Sequence, residues 1–387
     1  MGIDAYEPFI ISERLTMIAH LFSPNRSRSS ILSLVVGACL VFALAWLLSA
    51  DTPTASAHPA TATLTVTSTA NTGTGSLRAA LAAASAGDVI QFNLPANSTI
   101  VLASELLVNK SLTIDGSAAT NLTISGNNTT RVFNVTAPTT LIGLTIANGK
   151  TTGNGGGIYS SAALTLQNVI VRNNHAINGE IHDYDDDDDD DGHFDGGGGG
   201  IYAYGALVVN NTSFIDNTAS QNGGGIYAKN GVALTGGLWQ NNQAMYGRGG
   251  GVYVFGATQV TSAKFLRNFS ARAGGAIFHG WSSGSGNIVN SLFAGNYSQN
   301  SSSGEVLYYR CTSGSPFSIF HTTIASSSLV NGAALFISGC AATVKDTIIV
   351  SHKTGVANGW FSPALVEDYN VFYGNTTNFS GSVTSGG

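Results

Sequence analysis

Four carboxylates set close together, Asp187, Asp189 and Asp191 and then Asp195 beyond Gly192, have the alternate spacing that lets a tight loop wrap Ca²⁺ with oxygen ligands. An EF-hand register fails, because its twelfth position is Gly198 rather than Glu. The same residues belong to a block of like charge, Asp183 and 185–191, and such blocks repel internally and stay solvated. A solvated tract and a Ca²⁺ loop are therefore the two readings of this stretch. A second candidate is a set of aromatics, Tyr159, Tyr202, Tyr227, Tyr253 and Phe278, each following a branched apolar residue. If the branched residues point inward, strand alternation sends the aromatics to the opposite face, where Tyr204 and Phe255 extend them sideways. Stacked rings there would form a platform for sugar rings or partner side chains, or would simply support one another across strands. Cys311 and Cys340 are a third candidate. They follow Leu307 and Leu335 at offsets of four and five, near enough to the same place on adjacent repeats to predict a disulfide, although a one-residue offset flips a strand side chain unless a bulge or turn absorbs it.

Chemistry that needs paired acids has little to draw on. Outside the acidic block, carboxylates are sparse, and Asp216 has no acidic counterpart in the neighbouring repeats. His279 and Trp281 stand near the last of the aromatics, but a lone His is first a structural residue. No basic stripe suggests nucleic acid. The net charge of −6 over 387 residues is set largely by the acidic block, and charged residues make up only 10% of the chain. Low charge suits stacked strands, where like charges would lie one strand apart.

What positions these residues is a repeat. Gly155-Gly-Gly-Ile-Tyr159 recurs as Gly198-Gly-Gly-Ile-Tyr202, Gly223-Gly-Gly-Ile-Tyr227, Gly249-Gly-Gly-Val-Tyr253 and Gly274-Gly-Ala-Ile-Phe278. A second phrase, an apolar residue with Asn three positions on, follows each: Val171/Asn174, Phe214/Asn217, Trp239/Asn242, Phe265/Asn268 and Phe293/Asn296. Both markers share a period of roughly 25, the signature of stacked units that bury nothing alone. Between them, apolar residues alternate (Leu164 and Leu166, Leu207 and Val209, Val232 and Leu234), which predicts strands and leaves no room for a helix. Three short strands per repeat, without a leucine-rich frame, predict an all-β, single-stranded parallel β-helix of about ten coils, on the order of 50 Å long. The Asn slot should form a ladder of amides between coils.

Three other segments frame the stack. Residues 1–57 hold an uncharged apolar run, 31–48, preceded by Arg26 and Arg28 and followed by Ala55-Ser-Ala57, which reads as an export signal or, if uncleaved, a membrane anchor. The β-helix is assigned to 58–387. Within it, 75–86 contains the one helical stretch, suited to capping the open end of the stack. The step of 43 between Ile158 and Ile201 marks an insertion at about 180–196 that carries the acidic block.

Gly75-Ser-Leu-Arg-Ala-Ala-Leu81 followed by Ala86-Gly-Asp-Val-Ile-Gln-Phe92 is similar to the N-terminal cap of bacterial exported right-handed β-helix proteins, a pectate-lyase-like solenoid. The paired Gly-Gly-x-Ile and Phe-x-x-Asn phrases resemble the repeats of polymorphic outer-membrane proteins, and Asp368-Tyr-Asn-Val-Phe-Tyr-Gly-Asn375 resembles the last coils of related surface proteins. The resemblance implies an exported or cell-surface, adhesin-like module, with a glycan or cell-surface partner and a membrane only through an uncleaved N-terminal segment. No cofactor is required on this reading, with Ca²⁺ confined to the acidic insert. The alternatives are a Ca²⁺-dependent carbohydrate-active enzyme of the pectate-lyase type and a purely structural stalk.

Overall fold

In the computed structural model the described residues are 61–178, 196–300, 304–312, 315–359 and 361–385, with side chains 327–331 and 385 set aside. They form a right-handed parallel β-solenoid of about 11 turns with one short helix. The segment 1–57 and the acidic residues Asp187, Asp189, Asp191 and Asp195 lie outside the described residues.

A complete turn is seen at 158–176. Its first strand is Ile158–Ser160, its second Leu164–Gln167, its third Ile170–Arg172 and its fourth His175–Ala176. The fourth strand is a correction to three per repeat. At two residues, it is too short to show alternation in sequence. Every strand pairs in parallel with its equivalent one turn on, so that Ile158, Ile201, Ile226, Val252 and Ile277 face one another in a single inward row. The second strands build a 13-stranded sheet and the fourth strands a 6-stranded one. First and third strands share a 20-stranded sheet, because in the later turns they run into each other as continuous strands, Thr323–Ser338 and Ile348–Asn358. Corners separate Thr99–Val101 from Leu106–Val108, and Thr139–Ile142 from Thr145–Ala147.

The interior is a column of stacked apolar side chains. Phe214, Trp239, Phe265 and Phe293 lie ring on ring at 5.5, 4.7 and 4.9 Å, all fully buried. After each of the third strands from Ile170–Arg172 to Leu292–Ala294 the chain turns through one residue with positive φ, such as Asn173 (53°) and Asn241 (54°). Asn tolerates that left-handed conformation better than most side chains. The next residue is the buried Asn of the second phrase. Asn174 Nδ2 donates to Asn217 Oδ1 (3.0 Å), Asn217 to Asn242 (2.9 Å), Asn242 to Asn268 (2.9 Å) and Asn268 to Asn296 (2.8 Å). The second Nδ2 hydrogen of each goes to a backbone carbonyl of the preceding turn, as from Asn242 to Phe214 O at 2.9 Å.

At the N-terminal end, helix α1 (Leu77–Ala83) starts at the N-cap Ser76 and buries Leu77, Ala80 and Leu81 against the first turns. Lys110 Nζ donates to Ala82 O at 2.9 Å, satisfying a carbonyl at the helix C-terminus. Asp88 ties the opening strand to the stack, accepting from Ser85 N at 2.7 Å and Ala62 N at 2.9 Å. Those two backbone donors hold its carboxyl below the usual carboxylate range.

Candidate binding face

The aromatic row lies on the far side of the first strands from the main core, as strand parity requires, and its rings stack. Centroids are 5.7 Å apart from Tyr159 to Tyr202, 4.7 Å to Tyr227, 4.8 Å to Tyr253 and 5.1 Å to Phe278. Two members that the sequence reading missed continue it, Tyr308 at 4.7 Å and Phe336 at 4.9 Å. They follow degenerate phrases, in which Gly304-Glu305-Val306-Leu307 keeps only the first glycine, yet each still comes directly after an inward Leu.

Of the two readings of the row, the platform needs correcting. Tyr253 is fully buried, and Tyr202, Tyr227 and Phe278 keep 8% exposure or less, in an apolar cluster with Ala273 and the half-buried Tyr159. At two of the phrases the leading backbone lies against the rings. A Cβ at Gly197 would stand 3.2 Å from the Tyr227 ring, and one at Gly304 2.7 Å from that of Tyr308. Arg131 covers Tyr159 at 5.5 Å and Arg248 covers Phe278 at 5.2 Å. Ring faces spent on one another and roofed by backbone cannot receive a sugar.

Other aromatics, two of them exposed, stand two or three residues further along the chain from this row. Tyr204 is 43% exposed and Trp281 57%, with Phe255 half-buried between them. Lys229 Nζ sits 5.6 Å from the Tyr204 ring centroid, and the Arg310 guanidinium 4.2 Å from that of Trp281.

His279, two residues before Trp281, points inward and is fully buried. Its Nε2 lies 2.8 Å from Gly256 O and its Nδ1 3.2 Å from Arg310 O, and its ring stacks on Tyr309 at 5.1 Å. Burial, the largest influence, pushes its pKa down from the ordinary 6.5, against the upward pull of the two carbonyls. Burial also lowers His175. A base with a depressed folded-state pKa makes the fold stable above the unfolded value and weakens it as pH falls through the folded one. The thermal midpoint should therefore hold from pH 8 to 7 and decline below about 6.5. His279→Gln should flatten that decline. An unchanged acid limb in the variant would assign it to other groups.

Cys311 and Cys340 are joined by a disulfide with Cα atoms 5.0 Å apart. Arg310 pairs with Ser338, which leaves one extra residue, Gly339, before Cys340. Gly339 takes φ 73°, and a Cβ there would stand 2.3 Å from Cys311 O. A glycine in the left-handed region absorbs the one-residue offset. Among the described residues no three His, Cys, Asp or Glu side chains gather to hold a metal.

Residues 211–229 match the Chlamydia polymorphic membrane protein repeat. The corner is similar to that repeat. The matched stretch runs through the third strand Ser213–Ile215, the ladder residue Asn217 and the glycine phrase to Tyr227, so the polymorphic membrane protein-like element is the corner that builds the Asn ladder and roofs the aromatic row. No curated protein matches the chain.

Proposed function

We propose that this chain is a surface-displayed β-helix acting as an adhesin-like binding or structural module. The observation that carries the reading is a parallel solenoid whose corner matches a polymorphic membrane protein repeat. The name of that repeat family supports display at an outer membrane surface. A stack in which each turn contacts only its neighbours gives a long, rigid presenting surface. Exposed aromatics with cations against them, Tyr204 with Lys229 and Trp281 with Arg310, lie beside the buried row, where a glycan or a cell-surface partner would meet them. The enzymatic alternative, a Ca²⁺-dependent lyase, would draw its ligands from the acidic insert, which lies outside the described residues.

The test presents the purified chain on beads to intact host-type cells and to a glycan array, with and without Ca²⁺, and follows cleavage of acidic polysaccharides in parallel. Saturable retention on cells or glycans without cleavage is the expected result. Retention on neither surface would leave the structural stalk, and Ca²⁺-dependent release of unsaturated sugars would establish the lyase.

A further inference from the structure

We infer that Tyr204, Lys229, Phe255, Trp281 and Arg310 form a binding row for an acidic polysaccharide laid along the solenoid axis. The inference rests on the binding-module reading above and names the ligand class and its residues.

The fold places these side chains in line. Tyr202, Tyr227, Tyr253, Phe278 and Tyr308 are register partners across successive turns, so the positions two residues on, Tyr204, Lys229, Phe255, Gly280 and Arg310, also lie one turn apart on the same outer side. Four steps of ~4.8 Å give a row about 19 Å long. Two local features shape it. Gly280 carries no side chain, and the Phe255 ring lies over it, so closely that a Cβ there would be 2.5 Å from Phe255 Cε1. The strand pair then bulges: His279 faces Tyr309 and Ser282 faces Cys311, which leaves Gly280 and Trp281 together opposite Arg310. Regular alternation would turn Trp281 inward beside Ile277 and His279. The extra residue sends it out instead, 57% exposed under the Arg310 guanidinium.

The chemistry of the row is specific in kind. Lys229 on Tyr204 and Arg310 on Trp281 are cations held on exposed aromatic faces three turns apart, with Phe255 between. Rings offer flat apolar surface to the axial C–H faces of sugars, and the cations offer charge to carboxylate or sulfate groups spaced along a chain. No carboxylate among the described residues pairs with Lys229. Between residues 196 and 310 the chain has six Lys or Arg against two acids, and one of those acids, Glu305, is buried. Lys264 and Arg267 belong to the third strand and the turn after it, while Lys229 and Arg310 stand on the exposed rings, which fits an anionic ligand there.

The experiment measures binding of the full chain to polygalacturonate, a sulfated glycosaminoglycan and neutral dextran by biolayer interferometry at two salt concentrations. The expected result is binding to one or both acidic chains and none to dextran. Trp281→Ala and Lys229→Gln should each weaken binding tenfold or more while thermal midpoints stay close to wild type, since both side chains lie at the surface. Lys264→Gln, a charge removed from the third-strand face, should change affinity less than twofold. An equal loss from Lys264→Gln would mean diffuse charge attraction and overturn the row. So would acidic-glycan binding untouched by Trp281→Ala and Lys229→Gln. Retention on cells without any affinity for acidic glycans, including retention through an acidic peptide or anionic lipid, overturns the inference and leaves the binding module standing. Absence of both defeats the two together.

Discussion

Asn242→Ala should lower stability by about 4 kcal/mol, measured from the denaturant midpoint, although it deletes a small side chain and touches no surface. Asn242 sits in the middle of the ladder, fully buried. Its Nδ2 donates to Phe214 O (2.9 Å) and Asn268 Oδ1 (2.9 Å), and its Oδ1 accepts from the backbone N (3.2 Å) and Nδ2 (2.9 Å) of Asn217. Truncation strands Asn217 N and one hydrogen of Asn217 Nδ2 where no water reaches, while Phe214 O keeps its ladder partner on the neighbouring strand. Each buried group left unsatisfied costs about 1–3 kcal/mol, which places the sum in the range of a large core deletion although only a small polar side chain is removed. Asn268 Oδ1 is spared, because the backbone N of residue 242 still donates to it at 3.0 Å. Asn242→Asp, equal in shape, should do no better, since a carboxylate would face two acceptors that Nδ2 now serves. Because each turn contacts only its neighbours, the loss of hydrogen-exchange protection should centre on 213–219, 238–244 and 264–270. A midpoint shift equivalent to under 1 kcal/mol would show that the amide column is incidental.

Gly224→Ala should cost about 3 kcal/mol or leave little folded protein. The position does not need an unusual φ; the obstacle is space. A Cβ would stand 2.4 Å from Gly250 O and 2.5 Å from the backbone N and C of Gln243. All three are strand or corner backbone, so relief requires moving whole turns apart rather than turning a side chain. The molecule contains its own control. The second glycine of each phrase is crowded by a fourth strand: Gly224 by Gln243, Gly250 by Phe269, Gly275 by Tyr297. The next turn has no fourth strand among the described residues, its chain running straight through Thr323–Ser338, and there the equivalent residue is Glu305. The third glycine is already Ala276 in one turn, so Gly251→Ala should be the milder change. Equal costs for Gly224→Ala and Gly251→Ala in denaturant titrations would refute this steric account.

The fold was legible because a stack keeps its spacing in one dimension: Ile158, Ile201, Ile226, Val252 and Ile277 recur with their Asn partners, and recurrence at one period is what stacking demands. The candidate site was legible only in part. Parity tells which side of a strand Tyr227 occupies, but not that a glycine corner of the preceding turn lies against its ring. Parity also misplaces Trp281, whose outward direction depends on a bulge that only the pairing of His279 and Ser282 reveals. The later turns hid their long strands because Ser, Thr and Val replace the glycine phrases that mark corners elsewhere.

The step of 43 residues between Ile158 and Ile201 leaves the pairing of its turns no different from that across 25, with Val171 still opposite Phe214 and Leu164 opposite Leu207. Both ends of the long segment are fastened at one point: Asn178 N donates to Ser220 Oγ at 3.0 Å, and Gly196 O accepts from Gln221 N at 3.1 Å. Doubling a loop adds only about 0.6 kcal/mol of closure entropy. That corner is therefore a socket, able to carry interchangeable cargo of almost any length or composition while the column beneath it keeps its register, and the acidic segment is the cargo this chain happens to hold.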